Sequence, residues 1–365
     1  MSKKKNIRSI AIVLPQFHPI PENDKWWGKG FTEWTNVTKA KPLFKGHYQP
    51  HLPADMGFYD LRLEESRLAQ EAMAKEYGIY GFCYYHYWFN GKRLLNEPLD
   101  RKLKNPKEDF PFMLCWANEN WTRRWDGSDN EILIKQDYSK SDDLEHINFL
   151  CNIFKDERYI KVNGKPFFVF YRSSLFPDMK KTTELFRAEA LKNGIGDLYL
   201  ACMESYGEFV DATSIGMDAT IEFPPHVRSG YENIIQKPSW YSYIKSKLRG
   251  ALPIEYIHDV IDYKKYVQNY LLQSPLPYKN YQTVSPMWDN SARKKKDGLI
   301  LKNSTPELYE WWLSETLKKF KSYSESENFI FINAWNEWAE GNHLEPCRKW
   351  GHKYLEATKR ALDNN

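Results

Sequence analysis

The chain is poor in cysteine: Cys83, Cys115, Cys151, Cys202 and Cys347 are five in 365 residues, an odd number with no paired spacing. That excludes a disulfide framework and suits a reducing compartment. Long hydrophobic runs are missing, and none approaches the roughly 18–20 residues of a membrane span. Met1-Ser2-Lys3-Lys4-Lys5 resembles the basic start of a signal peptide. The apolar stretch after it, Ile10 to Leu14, stops at Pro15, short of the roughly 7–15 residues of a signal core. The expectation is therefore a strand at this point and a cytoplasmic protein. Excess charge is also missing: 52 Lys+Arg against 48 Asp+Glu leave +4. So small and dispersed a charge argues against nucleic acid as a partner. The local basic run Arg293-Lys294-Lys295-Lys296 reads as a solvated loop. There is no glycine-rich phosphate loop, no nucleophile elbow and no Asp-x-Asp motif, so no cofactor is called for. His47 and His51 have the spacing of a metal pair, but Pro50 prevents a regular helix between them and no third ligand stands nearby, so no metal is expected.

What the chain has in excess is aromatic side chains, 16% of residues with 24 Tyr and 14 Trp. An indole N–H needs a partner when buried, so such enrichment often marks a surface for flat or amphipathic ligands.

Eight short apolar runs bounded by breakers read as strands buried on both faces: Ser9–Leu14, Ile79–Tyr84, Phe112–Cys115, Phe167–Phe170, Leu198–Cys202, Ala219–Ile221, Thr283–Ser285 and Phe329–Asn333. Helical patterns fall between them. One is capped by Ser141, one runs over Met179–Asn193, one starts at Thr305-Pro306 and one covers Tyr354–Ala361. The alternation predicts an α/β fold, a (β/α)8 TIM barrel. No linker or repeat divides the chain, so residues 1–365 are expected to form a single catalytic domain. The length beyond a minimal barrel falls in insertions at about 19–52, 88–109, 121–137 and 223–281. These follow the first, second, third and sixth strands, on the face where barrel enzymes place their sites.

The residues just past the strands are acidic, polar and aromatic. They include His18; Tyr85, His86 and Trp88; Trp116, Asn118, Glu119 and Trp121; Tyr171; Glu204; Glu222; Trp288; and Trp335, Asn336, Glu337 and Glu340. Trp34 joins them from the first insertion. Aromatic platforms with carboxylates and amides are what a sugar ring requires, so these residues are candidate contacts for an oligo- or polysaccharide. The sharpest feature is Trp335-Asn336-Glu337-Trp338-Ala339-Glu340-Gly341. Two carboxylates three apart face the same way on a helical turn, and their environments can sort them into base and acid. Glu337 and Glu340 are the candidate catalytic pair. Glu119, in Trp116-Ala117-Asn118-Glu119-Asn120-Trp121, is a second candidate for chemistry or substrate contact.

These stretches resemble the WbsX-like family, which carries a glycosyltransferase label and is related to glycoside hydrolase family 99. The resemblance also rests on Leu14-Pro15-Gln16-Phe17-His18-Pro19, Gly28-Lys29-Gly30-Phe31-Thr32-Glu33-Trp34, Tyr77-Gly78-Ile79-Tyr80-Gly81-Phe82, Tyr84-Tyr85-His86-Tyr87-Trp88 and Leu344-Glu345-Pro346. It implies a barrel enzyme of bacterial surface polysaccharide or O-antigen production. The two glutamates of the family 99 Glu-x-x-Glu stretch fall on Glu337 and Glu340. In that family the first takes the proton of the sugar 2-hydroxyl, which attacks its own anomeric carbon to give a 1,2-anhydro sugar. The second protonates the leaving oxygen and then acts as base for the acceptor. This implies a retaining, endo-acting hydrolase or transglycosidase on a manno-configured sugar. Three alternatives stay open: a glycosyltransferase using a sugar-nucleotide or lipid-linked donor, a non-catalytic glycan-binding barrel, and double displacement by Glu119 and Glu337.

Overall fold

Each of the eight apolar runs forms a strand in the computed structural model, which describes residues 7–123, 128–205, 209–226 and 258–365. β1 (Arg8–Val13), β2 (Gly81–Phe89), β3 (Phe112–Trp116), β4 (Lys165–Phe170), β5 (Tyr199–Glu204) and β6 (Ala219–Glu222) pair in parallel, each with the next. β8 (Phe329–Ile332) returns to pair with β1. β7 comes in two halves: Asn280–Tyr281 pairs with β6 and Thr283–Val284 with β8. Gln282 lies between the halves, and its carbonyl accepts the N–H of Phe331 (3.0 Å). With the halves counted separately, nine parallel strands make a nearly closed barrel.

The continuous burial along these strands explains their unbroken apolar sequence, because helices cover the outer face. Lys140–Phe154, Met179–Lys192, Pro306–Lys319 and Lys353–Asp363 occupy the expected stretches. The first of these is capped by Ser139, whose side chain accepts the N–H of Asp142, and not by Ser141. Part of the aromatic surplus fills the barrel interior. Phe167 packs edge-on against Tyr199 and Phe329, with ring centroids 4.8 and 5.3 Å away. All five cysteines are buried and unpaired with one another.

One buried apolar cluster runs from Ile10 to Ala361. Residues 88–109 form a hairpin strand (Lys92–Leu94) on the end of β2 and the helix Glu97–Lys104. Past β3, Trp121–Arg123 pairs with Ser128–Ile134. Most of the expected insertion at 223–281, from 227 to 257, lies outside the described residues. Among the described residues no helix is long and apolar enough to cross a membrane.

Candidate active site

β8 delivers the Trp335–Gly341 segment to the mouth of the barrel. Trp338–Glu340 is a single 3₁₀ turn with Glu337 at its N-cap position. Three residues per turn eclipse positions i and i+3, so Glu337 and Glu340 share a face. Gly341 ends the turn with φ +54°, and a Cβ there would come within 2.9 Å of the Asp289 Cβ. Glycine is required on both counts.

Asn336 and Glu345 fix the segment from behind. Asn336 accepts the Leu14 N–H (2.7 Å) and donates to the Leu14 carbonyl (3.1 Å), tying the end of β8 to the end of β1. Glu345 is buried and accepts four hydrogen bonds. They come from Gln70 Nε2 (2.7 Å), Trp335 Nε1 (3.0 Å), the Tyr59 hydroxyl (2.7 Å) and Trp338 Nε1 (2.7 Å). Both tryptophans flanking Glu337 therefore hang on one carboxylate. Burial pushes that carboxyl up to about 7. Glu345→Gln would set an amide N–H₂ against an indole N–H and is expected to cost about 2–3 kcal/mol at pH 5. The folded pKa lies above the 4.5 of the unfolded chain, so native Glu345 loses stability as pH rises from 4.5 through 7. The gap between wild type and variant should narrow over that window. Urea denaturation at pH 5 and pH 8 measures it, and a constant gap would contradict the raised pKa.

Arg293 joins the two candidate catalytic groups. It donates from Nη2 to Glu337 (3.1 Å) and from Nη1 to Glu340 (3.0 Å). Nη2 also reaches both carboxylate oxygens of Glu33 at 3.0 Å. Glu33 is fully buried and also accepts the backbone N–H of Ala339, inside the turn (2.8 Å). The reading of the Arg293–Lys296 run as a solvated loop is thus corrected at Arg293, which is drawn inside by three carboxylates. Burial pushes its pKa down, but the charges of Glu33, Glu337 and Glu340 outweigh burial and leave it well above its ordinary value. Burial pushes Glu337 well up and Glu340 up, while Arg293 pulls both back.

The pair opens into a cleft of about 410 Å³. Tyr85, Glu119, Trp121, Tyr171, Trp288, Glu337 and Glu340, all expected from the sequence, line it. Burial and then the charge of Glu337 keep the Tyr85 and Tyr87 hydroxyls protonated, as donors. Glu119 pairs with Arg172 (2.7 Å). Three buried lining residues offer polar atoms with no partner among the described residues: Gln16 Nε2, both amide atoms of Asn23, and Trp288 Nε1. Orphaned buried donors and acceptors are costly unless a ligand satisfies them, and sugar hydroxyls can do so.

The other residues expected to touch substrate do not line this cleft, and most of them make contacts elsewhere. His86 bonds His146 (2.9 Å), Trp88 donates to Asp142 (2.8 Å) and Trp116 donates to the Trp88 carbonyl (3.2 Å), all between the barrel and the helix Lys140–Phe154. Asn118 holds the backbone of Arg172 through both amide atoms (2.8 Å each). Trp34 donates to the Tyr59 carbonyl (2.9 Å) and packs on Trp338. Glu204 accepts from Tyr278 (2.6 Å) and Asn280 (3.1 Å), and Glu222 from Tyr270 and Thr283. His18 is buried, and Trp335 and Asn336 are the supports described above. His47 and His51 bond Asp289 (2.6 Å) and His343 (3.1 Å), and no metal-holding group of three or more His, Cys, Asp or Glu stands among the described residues. Sequence reasoning missed Arg293, Glu33 and Asn23. Glu33 lay inside a quoted motif, but nothing in its residue type separated it from a surface acid.

The nearly closed α/β barrel, with two neighbouring carboxylates in a cleft walled by tyrosine and tryptophan, has the fold of the carbohydrate-active enzymes. The family profile for the WbsX glycosyltransferases matches residues 9–358, and the chain belongs to that family. It is 42% identical over 355 residues to the uncharacterised protein WxcX of Xanthomonas campestris pv. campestris, strain ATCC 33913, and equally to that of strain B100. That alignment covers 97% of this chain and 49% of WxcX, so the chain spans about half the length of these relatives. Among solved structures, a glycoside hydrolase-like protein superposes with TM-score 0.59 at 13% identity, covering 98% of this chain and 94% of the other. A family 99 endo-α-mannosidase from Bacteroides thetaiotaomicron superposes with TM-score 0.56 at 14% identity, covering 98% and 97%. At these identities the likeness is one of fold.

Proposed function

We propose that the protein is a retaining, endo-acting glycosidase or transglycosidase for a bacterial surface polysaccharide of the O-antigen kind, with Glu337 and Glu340 as its catalytic pair. The observation that carries this reading is the single guanidinium of Arg293 bridging both carboxyls on one 3₁₀ turn in the cleft.

The chemistry starts with Glu337 ionised and Glu340 protonated. Glu337 takes the proton of the 2-hydroxyl, and that oxygen bonds to the anomeric carbon as the glycosidic C–O bond breaks. Glu340 gives its proton to the departing oxygen. In the second step Glu340 takes a proton from water or an acceptor hydroxyl, whose oxygen bonds to the anomeric carbon. The anhydro C–O bond opens and Glu337 returns its proton to the 2-oxygen. An internal nucleophile makes the first step effectively unimolecular. Throughout, the pair holds one proton and one negative charge, which passes from Glu337 to Glu340 and back. Arg293 faces both groups and stabilises the charge in either place, without reorganising.

The pH dependence follows from the same arrangement. kcat/KM should be bell-shaped, with its acid limb above the 4.5 of an ordinary glutamate, because burial raises both groups. Arg293→Gln should move both limbs further up, since the cation that pulls both down is gone. Limbs unmoved by that substitution would contradict the bridging role. The anhydro route is tested with a glycan methylated on the reacting 2-hydroxyl. It should not be turned over, and turnover equal to that of the free glycan would exclude the mechanism.

A further inference from the structure

Arg293 reaches the catalytic pair from outside the barrel sheet. Trp288–Asp289 pairs antiparallel with Leu299–Lys302 in a separate small sheet, and Asn290–Ala292 makes one 3₁₀ turn before Arg293. Asp289 fixes this segment in place. Its Oδ1 accepts the Ser291 N–H (3.0 Å) and caps the turn, whose Asn290 carbonyl accepts the Arg293 N–H (3.1 Å). Its Oδ2 accepts from His47 Nε2 (2.6 Å) and Gln49 Nε2 (2.8 Å), both on the first insertion. Its backbone presses on the turn that carries the pair. A Cβ on Gly341 would lie 3.0 Å from the Asp289 carbonyl oxygen and 3.2 Å from its nitrogen. One buried carboxylate thus joins the Arg293 turn, the Glu337–Glu340 turn and the first insertion.

His47 is held to one part in this. The Leu43 N–H donates to its Nδ1 (2.9 Å), so the ring proton stands on Nε2 and points at Asp289. The His47 and Asp289 side chains are only 4% and 8% exposed, so water is a poor substitute for either partner. Neither residue lines the cleft that Glu337, Glu340 and Arg293 share. Any effect they have on the reaction therefore passes through the segments they hold.

We propose that Asp289, oriented by His47, is a positioning residue for Arg293, holding its guanidinium where it spans Glu337 and Glu340. The proposal rests on the reading of those two residues as the catalytic pair.

A double-variant cycle on the full chain tests it. His47→Ala should lower kcat/KM by about 10–100-fold, because a shift of about 1 Å in a charged group of the site suffices for that. His47→Gln, whose side-chain nitrogen can stand where Nε2 stood, should recover most of the loss. Asp289→Asn should lose at least as much as His47→Ala. In either orientation its amide sets N–H₂ against the Ser291 N–H or the His47 Nε2–H. In an Arg293→Gln background, His47→Ala should cost no more than about twofold further, since the group it positions is gone. Losses that multiply in full, or no loss in either single variant, would overturn the proposal.

A second readout needs no substrate. Carboxyl ¹³C NMR of glutamate-labelled protein follows the titration of Glu337 and Glu340, assigned through their Gln variants. Arg293 pulls both groups down, Glu33 raises both, and Lys294 lowers Glu340. Displacing Arg293 by His47→Ala should move both titrations up, in the direction of Arg293→Gln. Titrations that move in Arg293→Gln and stay put in His47→Ala would overturn the positioning role and leave the catalytic reading standing. Titrations that move in both variants, in a protein that cleaves no glycan, would uphold the positioning role and remove the catalytic reading.

Discussion

Glu340→Gln is expected to lower kcat by about 10³-fold on a glycan whose leaving group is another sugar. In kcat/KM, which reports the first bond cleavage, the same variant should lose only about tenfold on an aryl glycoside, whose departing phenolate needs no proton, while its kcat stays low because the second step still lacks its base. Glu337→Gln should lose about 10³-fold on both substrates, because the 2-hydroxyl must give up its proton whatever departs. The contrast follows from the assigned roles and not from the pair's position alone. Two buried carboxyls bridged by one arginine would both be damaging to replace if they were merely structural, but then the loss would not depend on the leaving group. Steady-state kinetics on the two substrates decide it. Equal losses by both variants on both substrates would contradict the division into base and acid. Loss confined to a Glu119→Gln variant would move the chemistry to the carboxylate that Arg172 holds.

The second large effect is expected at Arg293. Arg293→Ala leaves Glu33 fully buried without its cation, beside two further carboxyls that face each other unbridged. Breaking a buried ion pair by removing one partner costs about 3–5 kcal/mol. Loss of a preorganised charge in the cleft should lower kcat by about 10²–10³-fold. The two effects separate in the double variant Arg293→Ala with Glu33→Gln. Neutralising Glu33 removes the most deeply buried of the orphaned charges, so much of the stability should return. Activity should not, because Glu337 and Glu340 still lack their bridge. Denaturant unfolding at pH 7 together with kcat on a cleavable glycan measures both. Wild-type activity in Arg293→Ala would refute the bridging role.

The barrel was legible because a strand covered on both faces must be apolar without interruption, and few other segments of this chain are. β7 was the faintest, and its two two-residue halves either side of Gln282 show why: neither half is long enough to leave a pattern. The mouth was legible from position alone, which brought Glu337, Glu340, Tyr85, Glu119, Trp121, Tyr171 and Trp288 to one cleft. Position does not say which way a side chain faces. Along β2, Tyr85 and Tyr87 turn into the cleft while His86 and Trp88 turn outward onto the helix behind. That is the two-residue alternation of a strand, and it was present in the sequence as a usable signal. Arg293 carried no such signal. It begins a run of four basic residues, and only the three carboxylates that meet it, from the first insertion and the 3₁₀ turn, distinguish it from its neighbours.

The most direct test is mass spectrometry of reactions in oxygen-18 water on mannose- and rhamnose-containing bacterial glycans, with and without a pool of sugar nucleotides. Wild type, Glu337→Gln and Glu340→Gln would be run side by side. Heavy-labelled fragments released by wild type without any donor, and missing from both variants, are the predicted result. Glycans that only lengthen, and only when sugar nucleotides are supplied, would contradict the glycosidase reading.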